Sequence, residues 1–218
     1  MRFKDARAAG RALAVALTEH ARRRDALVIA VAHGGVGVGL EVAKALNLPL
    51  DLLLLRRLLA PQGAMRPACA ASVAGSTFLD EEVVAAIADD GERDPALRQF
   101  VEAALADFDE HARAARGARP PLELSGRTVI LVDNGVRTGS TMLAALRALR
   151  SRAPARVVVA APVAAPEVLD ALRTAADDFV HLHAPDPFGH VGLWYEHFAR
   201  PSDEEIRAML EEAPSTSL

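Results

Sequence analysis

The stretch "VILVDNGVRTGST" (Val129–Thr141) runs four apolar residues into an acid, Asp133, and then reaches a Thr-Gly-Ser-Thr cluster. Small residues that open a helix expose backbone N–H groups, and the helix dipole adds positive potential there. Thr138, Ser140 and Thr141 add hydroxyl donors, so Arg137–Thr141 suits a phosphate monoester. Asp133, at the strand end, then faces neutral hydroxyls such as those of a ribose, or a hydrated metal. An ordinary capped strand–turn–helix accounts for a lone TGST; the acid five residues before Thr138 favours a binding site. The same cradle would serve phosphate-ester hydrolysis, although no nucleophile is evident.

A second glycine-rich turn is "AHGGVGVG", after the apolar run Leu27–Ala32. It is not a dinucleotide fingerprint: G-x-G-x-x-G meets Leu40 when started at Gly35 and Val42 when started at Gly37. No lysine follows for a Walker loop. Gly34-Gly35 instead allows a tight turn whose N–H groups approach an anion closely, or simply close strand–helix packing.

Other candidates are weaker. His181 and His183 share a strand face, with Asp186, His190 and His197 nearby, but the spacing matches no metal template, so no metal ligands are assigned. Cys69 stands alone, without a partner that would make it a nucleophile. Trp194 and Tyr195 read as packing residues.

The elements that position these residues alternate. A helix is expected over about Lys4–Arg24, then strand Leu27–Ala32, helix, and strand Leu48–Leu55. An Ala/Pro/Gly/Ser-rich loop follows over about 60–78, long enough to suggest a flap. A helical hairpin is expected over about 80–116, its second part placing Leu97, Val101, Leu105, Phe108 and Ala112 on one face. Strand "TVILV", helix Ser140–Arg152, strand "RVVVAAPV", helix "PEVLDALRTA", strand "FVHLH" and a last helix capped by Ser202 with Glu205 complete the chain. The reading is one α/β domain over 1–218, a parallel sheet of about five strands flanked by helices, with hood elements over about 184–218. Ligands in such folds bind beyond the carboxyl ends of the strands, where both glycine turns lie.

Bulk properties narrow the rest. The chain is 51% hydrophobic and 25% charged, enough for an ample core. A net charge of -4 gives no reason to expect nucleic acid, whose binding usually shows as a basic face, and no apolar run is long enough to span a bilayer. One cysteine and an opening stretch without an apolar signal core lead us to expect a cytoplasmic protein.

"VILVDNGVRTGST" resembles the phosphoribosyl pyrophosphate (PRPP) signature of the type I phosphoribosyltransferases: apolar strand, paired acids, then T-G-x-T. "FKDARAAGRALAVAL", "AHGGVGVGLEVAKALNLPLDLLLLRRL" and "GLWYEHFARPSDEEIRAML" are similar to a bacterial branch of that family whose acceptor is not established. The resemblance implies Mg²⁺-dependent transfer of ribose 5-phosphate from PRPP, and, by analogy, a homodimer. It implies that Asp133 binds the ribose hydroxyls, with Asn134 where a second acid is usual. Arg137, Thr138, Gly139, Ser140 and Thr141 would hold the 5′-phosphate. His33, Gly34 and Gly35 would form the pyrophosphate loop, with Arg56 and Arg57 as a cationic pair. Asp133, Asn134 and Arg57 thus stand as the catalytic positions.

Four positions depart from the family pattern. Asn134 replaces an acid, His33 replaces the branch's Arg, and Arg57 replaces its Lys. Arg137 stands where purine enzymes carry an Asp directly before T-G, which argues against purine salvage. These changes leave a non-catalytic, PRPP- or nucleotide-sensing member as the alternative.

Overall fold

The structure, a computed structural model, describes residues 2–58, 68–79 and 95–214. Its strands are β1 (Ala26–Val31), β2 (Leu50–Leu58), β3 (Ala68–Val73), β4 (Ser76–Leu79), β5 (Thr128–Val132), β6 (Arg156–Val163) and β7 (Asp178–His183). They form one sheet in the order β4-β3-β2-β1-β5-β6-β7. The five strands from β2 to β7 in that order are parallel, as the alternating pattern predicted. β1 and β5 are buried along their whole length, so they read as unbroken apolar runs rather than alternating ones.

The described helices are α1 (Ala6–Ala16), α2 (Val36–Leu46), α3 (Pro95–Arg116), α4 (Ser140–Arg150), α5 (Leu169–Ala175) and α6 (Asp203–Glu211). The first helix stops well short of Arg24. Leu13, Ala14 and Leu17 are buried, but Arg22–Arg24 offer nothing apolar to extend that stripe. A 3₁₀ turn over Thr18–His20 ends it, and Arg22 takes a φ of 60°.

The expected flap is partly sheet. Ala68–Val73 and Ser76–Leu79 form an antiparallel hairpin on the edge of β2, turning at Ala74 and Gly75 with φ of 50° and 75°. Ala and Ser are weak strand formers, so propensity conceals a strand that pairing with β2 creates. Residues 59–67 of that flap region lie outside the described residues, as do 80–94 of the helical hairpin. The hairpin's second part is α3, which buries Phe108 and Ala112 on the expected face. At its end, buried Arg116 donates from Nε to buried Asp51 at 3.0 Å. Asp51 also accepts the Leu52 and Leu122 amides, so the desolvated carboxylate is fully engaged.

The connection from β1 steps to β2 on one side, and that from β5 steps to β6 on the other. Right-handed crossovers then put α2 and α4 on opposite faces, so the carboxyl ends of β1 and β5 open a crevice between them. The C-terminal segment closes back over this end. Ser202 caps α6 and Glu205 completes the capping box, as the sequence indicated. Just beyond α6, Glu212 accepts hydrogen bonds from Arg7 and Lys44, which hold its carboxyl well below the usual range. Among the described residues, no helix is long and apolar enough to cross a membrane.

Candidate functional site

β1 and β5 run side by side, with Ala30 in register with Val132, so the turns that follow them are neighbours. After β1, His33 adopts a left-handed φ of 64°, and the Gly35 N–H returns to the Val31 carbonyl at 2.7 Å. The turn then enters α2 directly. Its glycines are dictated by space: a Cβ on Gly34 would lie 2.8 Å from Asp133 Oδ1. A Cβ on Gly35 would lie 2.4 Å from the Val132 carbonyl oxygen and 2.8 Å from Asp133 Cα. The sequence allows either close packing or a ligand turn here. The close packing is real, and what Gly34-Gly35 packs against is the second turn.

In that second turn the Asp133 amide bonds the Ala160 carbonyl at 3.2 Å, and Asp133 Oδ1 accepts the Asn134 amide at 2.8 Å. Burial raises the Asp133 carboxyl to about 7, the Asn134 N–H only partly opposing it. Downstream, Gly139 takes φ 74° and opens α4, whose N-terminus has no side-chain cap. An ordinary capped turn would commit Thr138 or Ser140 to those amides; instead the two hydroxyls lie 3.0 Å apart, and both residues are exposed. The first turn of α4 is thus left without a side-chain cap, beside two hydroxyls that bond each other.

Tyr195 supports this turn from below. Its hydroxyl donates to the Asn134 carbonyl at 2.5 Å, and its ring is buried against Phe3 and Phe198. Burial, with the nearby Asp133 charge, holds the phenol protonated far above its usual range. The chain on either side of Tyr195 is laced to the N-terminal segment: Phe3 bonds Trp194 and Glu196, and the His197 amide reaches the Lys4 carbonyl. Packing was the expected role for Trp194 and Tyr195. Nothing local in the sequence signals that Tyr195 would buttress Asn134, which lies 61 residues away.

Arg56 forms an ion pair with Asp107 of α3. The Arg57 backbone pairs with Cys69, and its side chain lies outside the described residues. A cavity of about 520 Å³ borders the cradle, lined by Arg137 and Thr138, Glu167 and Val168, and the Asp186–Phe188 segment. Of the sequence-adjacent histidines, His181 stacks on Phe179 and His183 meets Phe3. Among the described residues, the metal-type side chains that do converge are others: His33, His111 and Asp203.

The family model described as phosphoribosyl transferase domain matches residues 2–193. The Mycobacterium tuberculosis H37Rv protein named "Putative phosphoribosyl transferase Rv0571c" is 34% identical over 216 residues, covering 97% of this chain and 47% of that protein. The chain thus spans about half the length of the curated relatives it matches. The crystal structure of TT1426 from Thermus thermophilus superposes with a TM-score of 0.75 at 35% identity, covering 99% of this chain and 100% of that one. A uracil phosphoribosyltransferase from Kineococcus radiotolerans is 43% identical over 60 residues, 28% of each protein.

Proposed function

Because the chain belongs to the phosphoribosyl transferase domain family, we propose that it transfers ribose 5-phosphate from PRPP to an acceptor, with Mg²⁺. The observation that carries this reading is the direct contact of two ligand-type turns at the β1/β5 crevice, with buried Asp133 between them. In it, the Arg137–Thr141 cradle takes the 5′-phosphate, Asp133 takes the ribose hydroxyls, and the His33-Gly34-Gly35 turn takes the pyrophosphate. Asn134 shapes the strand end, and Arg57 supplies a cation toward the leaving group. Holding both ends of the donor fixes C1′ while positive charge develops there, which is where such sites lower the barrier. Mg²⁺ would neutralise the departing pyrophosphate, bound mainly by phosphate and hydroxyl oxygens. Asp133 is a suitable oxygen donor at this strand end. The cavity beginning at Arg137 and Thr138 offers room for the acceptor, and Arg137 there argues against a purine.

Addition of PRPP with Mg²⁺ is expected to raise the melting temperature, by about 2.7 kcal/mol of stabilisation at a hundredfold excess over Kd. No shift and no calorimetric heat would remove the proposal. Thr138→Val is expected to weaken ribose 5-phosphate binding by about 10-fold or more, since a hydrogen bond to a charged group contributes roughly 1.5–3 kcal/mol. Unchanged affinity in a titration of that variant would mean the cradle is misassigned.

One observation favours a second reading, a sensor that binds PRPP or a nucleotide without turnover. His33 is not free toward the pyrophosphate side: its Nε2 lies 2.9 Å from Asp203 Oδ1. Pyrophosphate release with any base or amine acceptor, lost in Asp133→Ala, would exclude the sensor.

A further inference from the structure

We propose that His33, His111 and Asp203 form a binding site for a divalent transition metal of the zinc type. The three come from separate elements: the turn after β1, the exposed side of α3 and the first turn of α6. His33 Nε2 lies 2.9 Å from one oxygen of Asp203, and His111 Nε2 lies 3.9 Å from the other. All three donor atoms fall within 4.8 Å of one another. The imidazole rings face each other, centroids 6.3 Å apart and 12° from parallel, and Nε2 is the atom of each that pairs with the Asp203 carboxylate.

A simple His–Asp hydrogen bond would account for His33 alone. His111 sits too far from Asp203 for a hydrogen bond, its Nε2 3.9 Å from the second carboxylate oxygen, so the two histidines flank one carboxylate from different elements. An ion resolves the arrangement. Metal bonds of about 2.0–2.2 Å in tetrahedral geometry separate ligand atoms by about 3.4 Å, a spacing these side chains reach by small rotations. Two imidazole nitrogens and one carboxylate select a zinc-type ion over Mg²⁺, which prefers oxygen, and leave at least one coordination position for water or another donor. The positive end of α6 would oppose a cation, but Asp203, Glu204 and Glu205 in its first turn offset it. Such an ion would tie α6 and α3 to the glycine turn and place fixed positive charge one residue before Gly34. The site stands independently of the transferase reading.

The test uses the tag-free full chain, stripped with chelator and titrated with Co²⁺ and then Zn²⁺. The expected result is a visible cobalt d–d band saturating at a single equivalent, bleached by Zn²⁺, with a raised melting temperature. His111→Ala and Asp203→Asn should each weaken Co²⁺ binding by at least about 10-fold while circular dichroism stays unchanged. Absence of the band and of the thermal shift overturns the site. So does wild-type affinity in His111→Ala, which would assign binding to other histidines. Cobalt binding without any PRPP binding would keep the metal site and sink the transfer reaction; the reverse result would do the opposite.

Discussion

Asp133→Asn is expected to stabilise the free protein at pH 8 while abolishing PRPP binding. Burial lifts the Asp133 carboxyl from its ordinary 3.8 to about 7. Between those values the folded chain holds a proton that the unfolded chain has released, so stability falls as pH rises through the window. Above about pH 7 the full cost of a buried carboxylate is present. That displacement corresponds to about 4 kcal/mol at pH 8 and to about 2 kcal/mol at pH 5. Asparagine keeps an oxygen for the Asn134 amide and removes the charge, so it recovers most of that difference. Urea denaturation of both proteins at pH 8 and pH 5 reads the effect directly. A variant no more stable than wild type at pH 8 would show that Asp133 carries no such buried charge.

The same change should be severe for the ligand. An acid poised near neutrality is a costly feature to retain in a core, and stability alone would select its replacement. Its retention is understandable if hydroxyls and a Mg²⁺-bound donor restore the carboxylate when the crevice fills. Binding then releases a proton near neutral pH. Calorimetry in buffers of different ionisation enthalpy would detect that proton in wild type and lose it, with the binding itself, in Asp133→Asn.

Much of this is legible in the sequence because it is local. The apolar runs of β1, β5 and β6 are bounded by turn residues, and Ser202 with Glu205 announces the start of α6 within four residues. The candidate turn Arg137–Thr141 is legible for the same reason: an acid, glycine and hydroxyls stand in one short stretch. What escapes depends on distant partners. β3 is Ala- and Ser-rich and becomes a strand only because β2 offers it an edge. Asp51 reads as an interruption of a leucine run until Arg116, 65 residues away, neutralises it. His33 and Asp203 are 170 residues apart, so no spacing rule joins them, whereas the sequence-adjacent His181 and His183 stand out in the sequence but pack against Phe179 and Phe3. Gly35 illustrates the middle case. Its type suggests either close packing or an anion turn, and the sheet order shows the packing requirement, because the β1 and β5 turns abut at Gly35.

That requirement sets the second large effect. Gly35→Ala is expected to destabilise the protein by about 2–3 kcal/mol and to lower PRPP affinity or turnover by about 100-fold. The added methyl would sit 2.4 Å from the Val132 carbonyl oxygen and 2.8 Å from Asp133 Cα, both backbone atoms of the adjacent strand end. Neither can rotate away, as the tip of a side chain could. The strain is steric and not conformational, since Gly35 has an ordinary helical φ of -83° that alanine adopts freely. Relief therefore requires the two turns to part by roughly 1 Å, the scale of misplacement that costs a positioned reaction about two powers of ten. Gly37→Ala is the matched control: it lies two residues on, in the first turn of α2, and among the described residues its new methyl meets only the Ala6 Cβ at 3.1 Å. Melting curves and PRPP titrations on the pair separate the two origins. If both variants lose ligand equally, the defect lies in α2 packing. If only Gly35→Ala does, the distance between the β1 and β5 turns is itself the quantity the site depends on.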